Sequence, residues 1–167
     1  DLQNEGAESH YLTMSLEEIK GLNIPADKDC ILFLWVTMPM LKEGLEVIDA
    51  WGFQYKTCAF VWIKTNPKSN SIFKGIGRRV QGNAELVLLA TKGKPKRISK
   101  SVSQVILSKR REHSRKPDEV RNRIVKLMGD LPRIELFARN RVEGWDAWGN
   151  EVSSEIQKEL KKEEKSK

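Results

Sequence analysis

At 167 residues the chain is long enough for one domain with a sizeable core, and 39% hydrophobic with 32% charged residues suits a globular protein with a heavily charged surface. A net charge of +7 and a pI near 9.4 favour a polyanionic partner, nucleic acid first, against the plainer reading of a solubilising surface. The two cysteines, Cys30 and Cys58, form no C-x-x-C pair, His10 and His113 stand far apart, and the apolar run from Ile31 to Leu41 falls short of the roughly 20 residues a membrane span needs, which argues against a disulfide scaffold, a histidine metal site and a membrane protein.

Residues 1 to 14 read as a loop, with no signal peptide visible. "MSLEEI" then marks a helix start: Ser15 is the N-cap, Glu18 completes a capping box, and Met14 and Ile19 are spaced for a hydrophobic staple. "CILFLWVTM" (30–38) is nearly all apolar and predicts a strand buried on both faces of a parallel or mixed sheet. A helix follows with Leu41, Leu45, Ile48 and Trp51 on one face, ended by Gly52. "FQYKTCAFVWIKT" (53–65) and "AELVLLATK" (84–92) are the next strands.

Between those strands lies "NPKSNSIFKGIGRRVQGN", too long and glycine-rich for a plain connection. Residues 92–116 form a second basic connection, with ten Lys or Arg against the single acid Glu112, and "SQVIL" within it is a short strand or packed turn. "KPDEVRNRIVKLMGD" predicts a helix with Pro117 at its first position, Asp118 and Glu119 at the positive end of its dipole, and Gly129 as its stop. Its apolar face is Val120, Ile124, Leu127 and Met128. "RIELFAR" is the last strand, and residues 153–167 make a charged, helical or frayed tail. Strands alternating with helices predict a three-layer α/β fold whose ligands bind beyond the strands' carboxyl ends. On that reading the chain after Lys64, after Lys92 and after Arg139 falls at one edge of the sheet.

Several residues could carry chemistry. Glu135 inside an apolar strand needs a partner, either an arginine (Arg133 or Arg139) or a ligand. Asn150 either caps a loop or brackets an adenine-like edge with its donor and acceptor. Trp145 and Trp148 either stack on a ligand or plug the edge of the core. Lys116 is either a solvated charge or part of an anion site at a helix N-terminus. Lys64, Lys68, Lys74, Arg78 and Arg79 in the first connection, and Lys109, Arg110, Arg111 and Arg115 in the second, suit a phosphate backbone or else are surface charge. No P-loop, G-x-G-x-x-G or G-x-S-x-G motif occurs.

Taken in order, "HYLTMSLEEIKGLNIP", "ILFLWVTMPML", "AWGF", "VWIKTN", "ELVLLATKG", "HSRKPDE" and "RIELFARNRVEGWDAWGNEV" resemble the MT-A70 family of adenine-N6 methyltransferases over about residues 9–152. "ELFAR" and "GWDAWGNE" look more like its prokaryotic and phage branch, which implies an intracellular, bacterial or phage-encoded protein. The resemblance implies a Rossmann-like fold over residues 1–152 that binds S-adenosylmethionine. It assigns Lys116, Glu135, Phe137, Arg139, Asn150 and Glu151 to the cofactor, with Glu135 and Arg139 at its ribose. Tyr11 falls in the family's gate beside the target base, and the basic stretch after Lys64 matches its loop for nucleic acid or a partner subunit. Nucleic-acid contacts are therefore expected from Tyr11, Lys64, Lys74, Arg78, Arg79, Lys109, Arg110 and Arg111, with DNA ahead of RNA, and a homologous partner subunit is a further expectation.

One departure is large: the family's catalytic Asp-Pro-Pro-Trp is nowhere in these residues, and it belongs just upstream of "DLQNEGAESHY". Without it there is no carboxylate and proline carbonyl to accept the N–H bonds of the adenine amine, a poor nucleophile, and no aromatic ring of that motif to hold the flipped base. The chain is expected not to methylate by itself and to be part of a longer product lacking the first strand of its fold here. The alternative is a catalytically inactive nucleic-acid-binding subunit that supports an active homologue.

Overall fold

A computed structural model describes residues 14–112 and 115–149. Tyr11, Asn150, Glu151 and the tail therefore lie outside the described residues. The described chain falls into two compact units, 14–129 and 130–149. Each has its own sheet, four-stranded in the first and two-stranded in the second.

The larger unit starts with α1 (Leu16–Lys20), whose capping box is complete: the Ser15 hydroxyl accepts from the Glu18 N–H and the Glu18 carboxylate accepts from the Ser15 N–H. Five residues cannot hold a helix alone. Here the Trp51 indole donates to the Ile19 carbonyl at 2.8 Å and Lys20 pairs with Glu46 at 3.0 Å, which ties α1 to the next helix.

β1 (Cys30–Val36), β2 (Gln54–Thr65), β3 (Ala84–Lys92) and β4 (Val105–Lys109) form a mixed sheet in the order β1-β3-β2-β4. β3 runs antiparallel to both β1 and β2, while β4 is parallel to β2. The "SQVIL" stretch is thus a strand that runs on to Lys109.

Alternation along β1 separates the two faces of the sheet. On one face, Phe33 and Trp35 join Phe60, Trp62, Val87 and Ile106 against Val120 and Ile124 of α3 (Glu119–Met128). On the other, Leu34 and Val36 lie against Gly44 of α2 (Leu41–Ala50), where an added Cβ would strike Val36. One helix on each face makes the three layers expected from the alternation of elements.

Four expectations change. β1 meets a helix on each face but is only partly buried: it stands at the end of the described sheet, and only Val36 is fully buried. Leu41 is exposed and the buried face of α2 is Gly44, Val47 and Ile48, followed by Trp51. Lys92 does not share an edge with Lys64. Because β3 is antiparallel to β2, Thr91 pairs with Gln54 and Ala84 with Ile63, so Lys92 lies at the far end and the start of β3 lies beside Lys64. Pro117 falls before Asp118, the N-cap of α3, and Gly129 ends that helix at φ 89°, a conformation open to glycine.

In the smaller unit, β5 (Ile134–Leu136) pairs in parallel with β6 (Asp146–Trp148). The strand stops one residue before Phe137, which takes φ 57° and is 46% exposed, not part of a strand through a core. Ala138, the next residue, is buried, and its N–H returns to the Trp148 carbonyl at 2.9 Å.

Candidate functional site

The antiparallel pairing sets Trp62 opposite Glu85, and the principal polar cluster of the larger unit forms around that carboxylate. Glu85 is only 5% exposed. Its Oε2 accepts from Lys64 Nζ at 2.8 Å and its Oε1 from Lys116 Nζ at 2.6 Å. Lys64 arrives from the carboxyl end of β2 and Lys116 from the turn before α3, so two separate motifs meet on one carboxylate.

The floor is aromatic. Trp35 and Trp62 meet edge to face with centroids 6.0 Å apart. Lys116 Nζ is 5.3 Å from the Trp35 centroid and 5.9 Å from that of Trp62, and Lys64 Nζ is 5.2 Å from Trp62. The Trp62 indole donates to the Ser108 carbonyl of β4 at 3.0 Å, which locks its ring.

Two cations on one anion leave the cluster one positive charge in excess. Burial alone pushes the Glu85 carboxyl up, but the pull of Lys116 and then Lys64 outweighs it and holds the group below its ordinary value of 4.5. Glu85 is therefore ionised at neutral pH. One N–H donor of each lysine is engaged with it, and the half-exposed Lys116 keeps donors for a negatively polarised group of a ligand.

Arg111 holds this arrangement from behind. Its guanidinium donates to the Lys116 carbonyl at 2.6 Å and to Asp118 at 3.2 Å. Asp118 also pairs with Arg121 at 3.0 Å and Arg115 at 3.8 Å, and the Arg111 bond leads the interactions that hold its carboxyl low. The N-terminus of α3 thus carries its own carboxylate. Arg111, expected on nucleic acid, also supports the Lys116 backbone.

Lys74, Arg78, Arg79, Lys109 and Arg110 are exposed, and the two basic connections are knitted together. Thr65 bridges Ile72, Phe73 N–H donates to the Lys64 carbonyl at 2.8 Å, and Arg110 N–H donates to the Thr65 carbonyl at 2.9 Å. The Arg110 guanidinium covers the Phe73 ring at 4.4 Å. Lys74, Arg78, Arg79 and Lys109 make no ion pair among the described residues.

The smaller unit brings together a second set. Glu135 and Arg139 stand two residues before and after Phe137 in sequence, and the exposed Phe137 ring meets Trp148 edge to face at 5.2 Å. Arg133 pairs with Asp130 at 2.8 Å and covers Trp145 at 5.4 Å. Glu135 is half-buried in the middle of β5, two residues before the exposed Phe137, and its carboxylate can accept hydroxyl groups.

Glu85 is the residue that the sequence reading missed. The signal existed: a carboxylate inside the apolar run "AELVLLATK" raises the same question as Glu135 inside "RIELFAR".

Comparison with known proteins is consistent across branches. A family model for MT-A70 matches residues 2–151. The chain is 39% identical to the Type II methyltransferase M.MunI of Mycoplasma sp over 158 residues, covering 91% of this chain and 64% of that protein. It is 34% identical over 147 residues to the N(6)-adenosine-methyltransferase MT-A70-like protein of Arabidopsis thaliana, covering 86% of this chain and 21% of the relative. With the Homo sapiens N(6)-adenosine-methyltransferase catalytic subunit METTL3 the identity is 33% over 147 residues, 85% of this chain and 25% of that protein. The chain thus spans less than two thirds of the length of these relatives.

Proposed function

The chain belongs to the MT-A70 family and has its α/β, Rossmann-like methyltransferase fold, and from that premise we propose that it is part of an S-adenosylmethionine-dependent enzyme that methylates the N6 amine of adenine in nucleic acid. DNA is the preferred substrate, since the highest identity above is to a Type II methyltransferase of a bacterium. The structural observation that carries this reading is the convergence of Lys64, from "VWIKTN", and Lys116, from "KPDE", on Glu85 over two tryptophans.

The donor set suits the cofactor's chemistry. Glu135 offers a carboxylate for sugar hydroxyls, and Phe137 offers an exposed ring face rather than a core side chain. Arg139, two residues after Phe137, is the further cofactor residue of this reading. S-adenosylmethionine, when bound, supplies an electrophilic methyl group that the adenine nitrogen takes up with loss of one proton, the thioether leaving. Lys116 is restrained in position by Glu85 and, through its backbone, by Arg111, and so presents its remaining N–H donors without reorganisation. Trp35 and Trp62 exclude water from beneath it, which strengthens each of these contacts.

The test uses the protein that contains this chain, titrated with S-adenosylmethionine by calorimetry and then incubated with labelled cofactor and adenine-containing DNA or RNA. Label should enter the adenine N6 position, and Glu135→Gln should weaken cofactor binding about tenfold, the loss of one charge-assisted hydrogen bond. Cofactor and nucleic-acid binding without transfer to either polymer would overturn the enzyme reading in favour of a supporting subunit.

A further inference from the structure

The connection from Asn66 to Asn83 contains an arm with an unusual tip. Gly75 N–H donates to the Gly82 carbonyl at 3.1 Å, which closes a small loop. A Cβ on Gly75 would strike the Gly82 carbonyl oxygen, and one on Gly77 would strike that of Val80. Both glycines are required by close backbone approach, and between them the chain holds Ile76 out at 94% exposure. Val80 on the returning limb is 75% exposed.

The backbone closure, not burial of its side chain, holds Ile76. An aliphatic group standing in water at such a tip gains most from a partner that covers it. Charge identifies that partner. Residues 66–83 carry Lys68, Lys74, Arg78 and Arg79 and no acid, and Arg78 and Arg79 sit between the two exposed aliphatic residues. A partner that is negative outside and apolar within is a stack of bases between phosphate backbones.

Resting on the nucleic-acid reading above, we propose that Ile76 is a wedge that enters the base stack of a duplex while Arg78 and Arg79 hold the flanking phosphates, so that the target adenine is pushed out of the helix. Chemistry on the N6 amine requires an accessible base, and an aliphatic side chain filling the gap reduces the cost of unstacking. Duplex DNA is the occupant; an apolar protein surface is the competitor that the test must exclude.

The protein containing this chain is bound to duplex DNA with 2-aminopurine at the target adenine. Anisotropy reads binding and 2-aminopurine fluorescence reads unstacking, both at saturating protein. The wild type should raise the fluorescence several-fold. Ile76→Ser should lose at least two thirds of that rise at full saturation, and Ile76→Leu should restore it. The melting temperature of each variant checks that the fold is intact, which the exposure of the side chain predicts. If the wild type binds without a rise in fluorescence, or if Ile76→Ser keeps the rise, the wedge is wrong and the nucleic-acid reading stands. If the wild type binds no DNA, the wedge and the preference for DNA fall together.

Discussion

Two groups of positive charge lie at the same end of the four-stranded sheet, and they do different work. Lys64 and Lys116 are held on the buried Glu85 over a floor of tryptophan. Lys74, Arg78 and Arg79, on the connection between β2 and β3, point into solvent and pair with nothing among the described residues. Each of these residues adds one unit to the net charge of +7, yet only those of the second group stand without a carboxylate partner among the described residues. Net charge counts residues, whereas affinity for a polyanion depends on charges whose counterions can be displaced.

The sharpest way to break this contrast is Glu85→Ala. It leaves two lysines facing each other without an anion, and unfolding in urea should show a loss of about 2–3 kcal/mol, below the usual cost of orphaning a buried pair because Lys116 is partly solvated. A loss below about 1 kcal/mol would mean that the lysines relax into water and the cluster is not a fixed site. The pH dependence sharpens the same point. The folded-state value of Glu85 is depressed, so its contribution is complete above the ordinary value of 4.5 and disappears as pH falls through the lower folded value. The stability gap between wild type and Glu85→Gln should thus be constant from pH 6 to 8 and narrow below about pH 4.5.

A smaller effect is expected at Arg111. Arg111→Ala removes the bonds to the Lys116 carbonyl and Asp118, and should cost about 1 kcal/mol in the same urea titration. If Arg111 were instead a phosphate contact, its loss would leave stability unchanged and flatten the salt dependence of DNA binding.

The smallest expected effect on stability belongs to the exposed pair. Arg78→Ala with Arg79→Ala should leave the melting temperature unchanged while weakening DNA binding. The slope of log affinity against log salt should fall by about 0.9 per arginine that contacts a phosphate. An unchanged slope would return these residues to the status of surface charge.

The contrast between Glu85 and Glu135 shows where reading a sequence reaches its limit. Each is a carboxylate in an apolar run, and the physical argument for a partner is identical. The resemblance of "RIELFAR" to a family motif drew attention to Glu135, whereas nothing local to "AELVLLATK" names Lys64 or Lys116 as partners. They are 21 and 31 residues away: the register of β2 against β3 brings in Lys64, and the turn before α3 brings in Lys116. The direction of β3 was hidden for the same reason. An apolar strand reads identically in both directions, so the edge occupied by Lys92 could not be inferred from its own residues.

Local features were legible because their causes are local. The capping box at Ser15 and Glu18 and the Gly129 stop rest on contacts within a few residues, and strand 84–92 showed in its own apolar run although its pairing partners are distant. Phe137 was misread because its apolar side chain suggested a strand, while its backbone had already turned to φ 57°. Family, fold class and basic character could be read in the chain, since each is written in residue identity and order. Which charges are spent on structure and which are left for a partner was decided only by strand direction and register, because an ion pair depends on distance in space rather than along the chain.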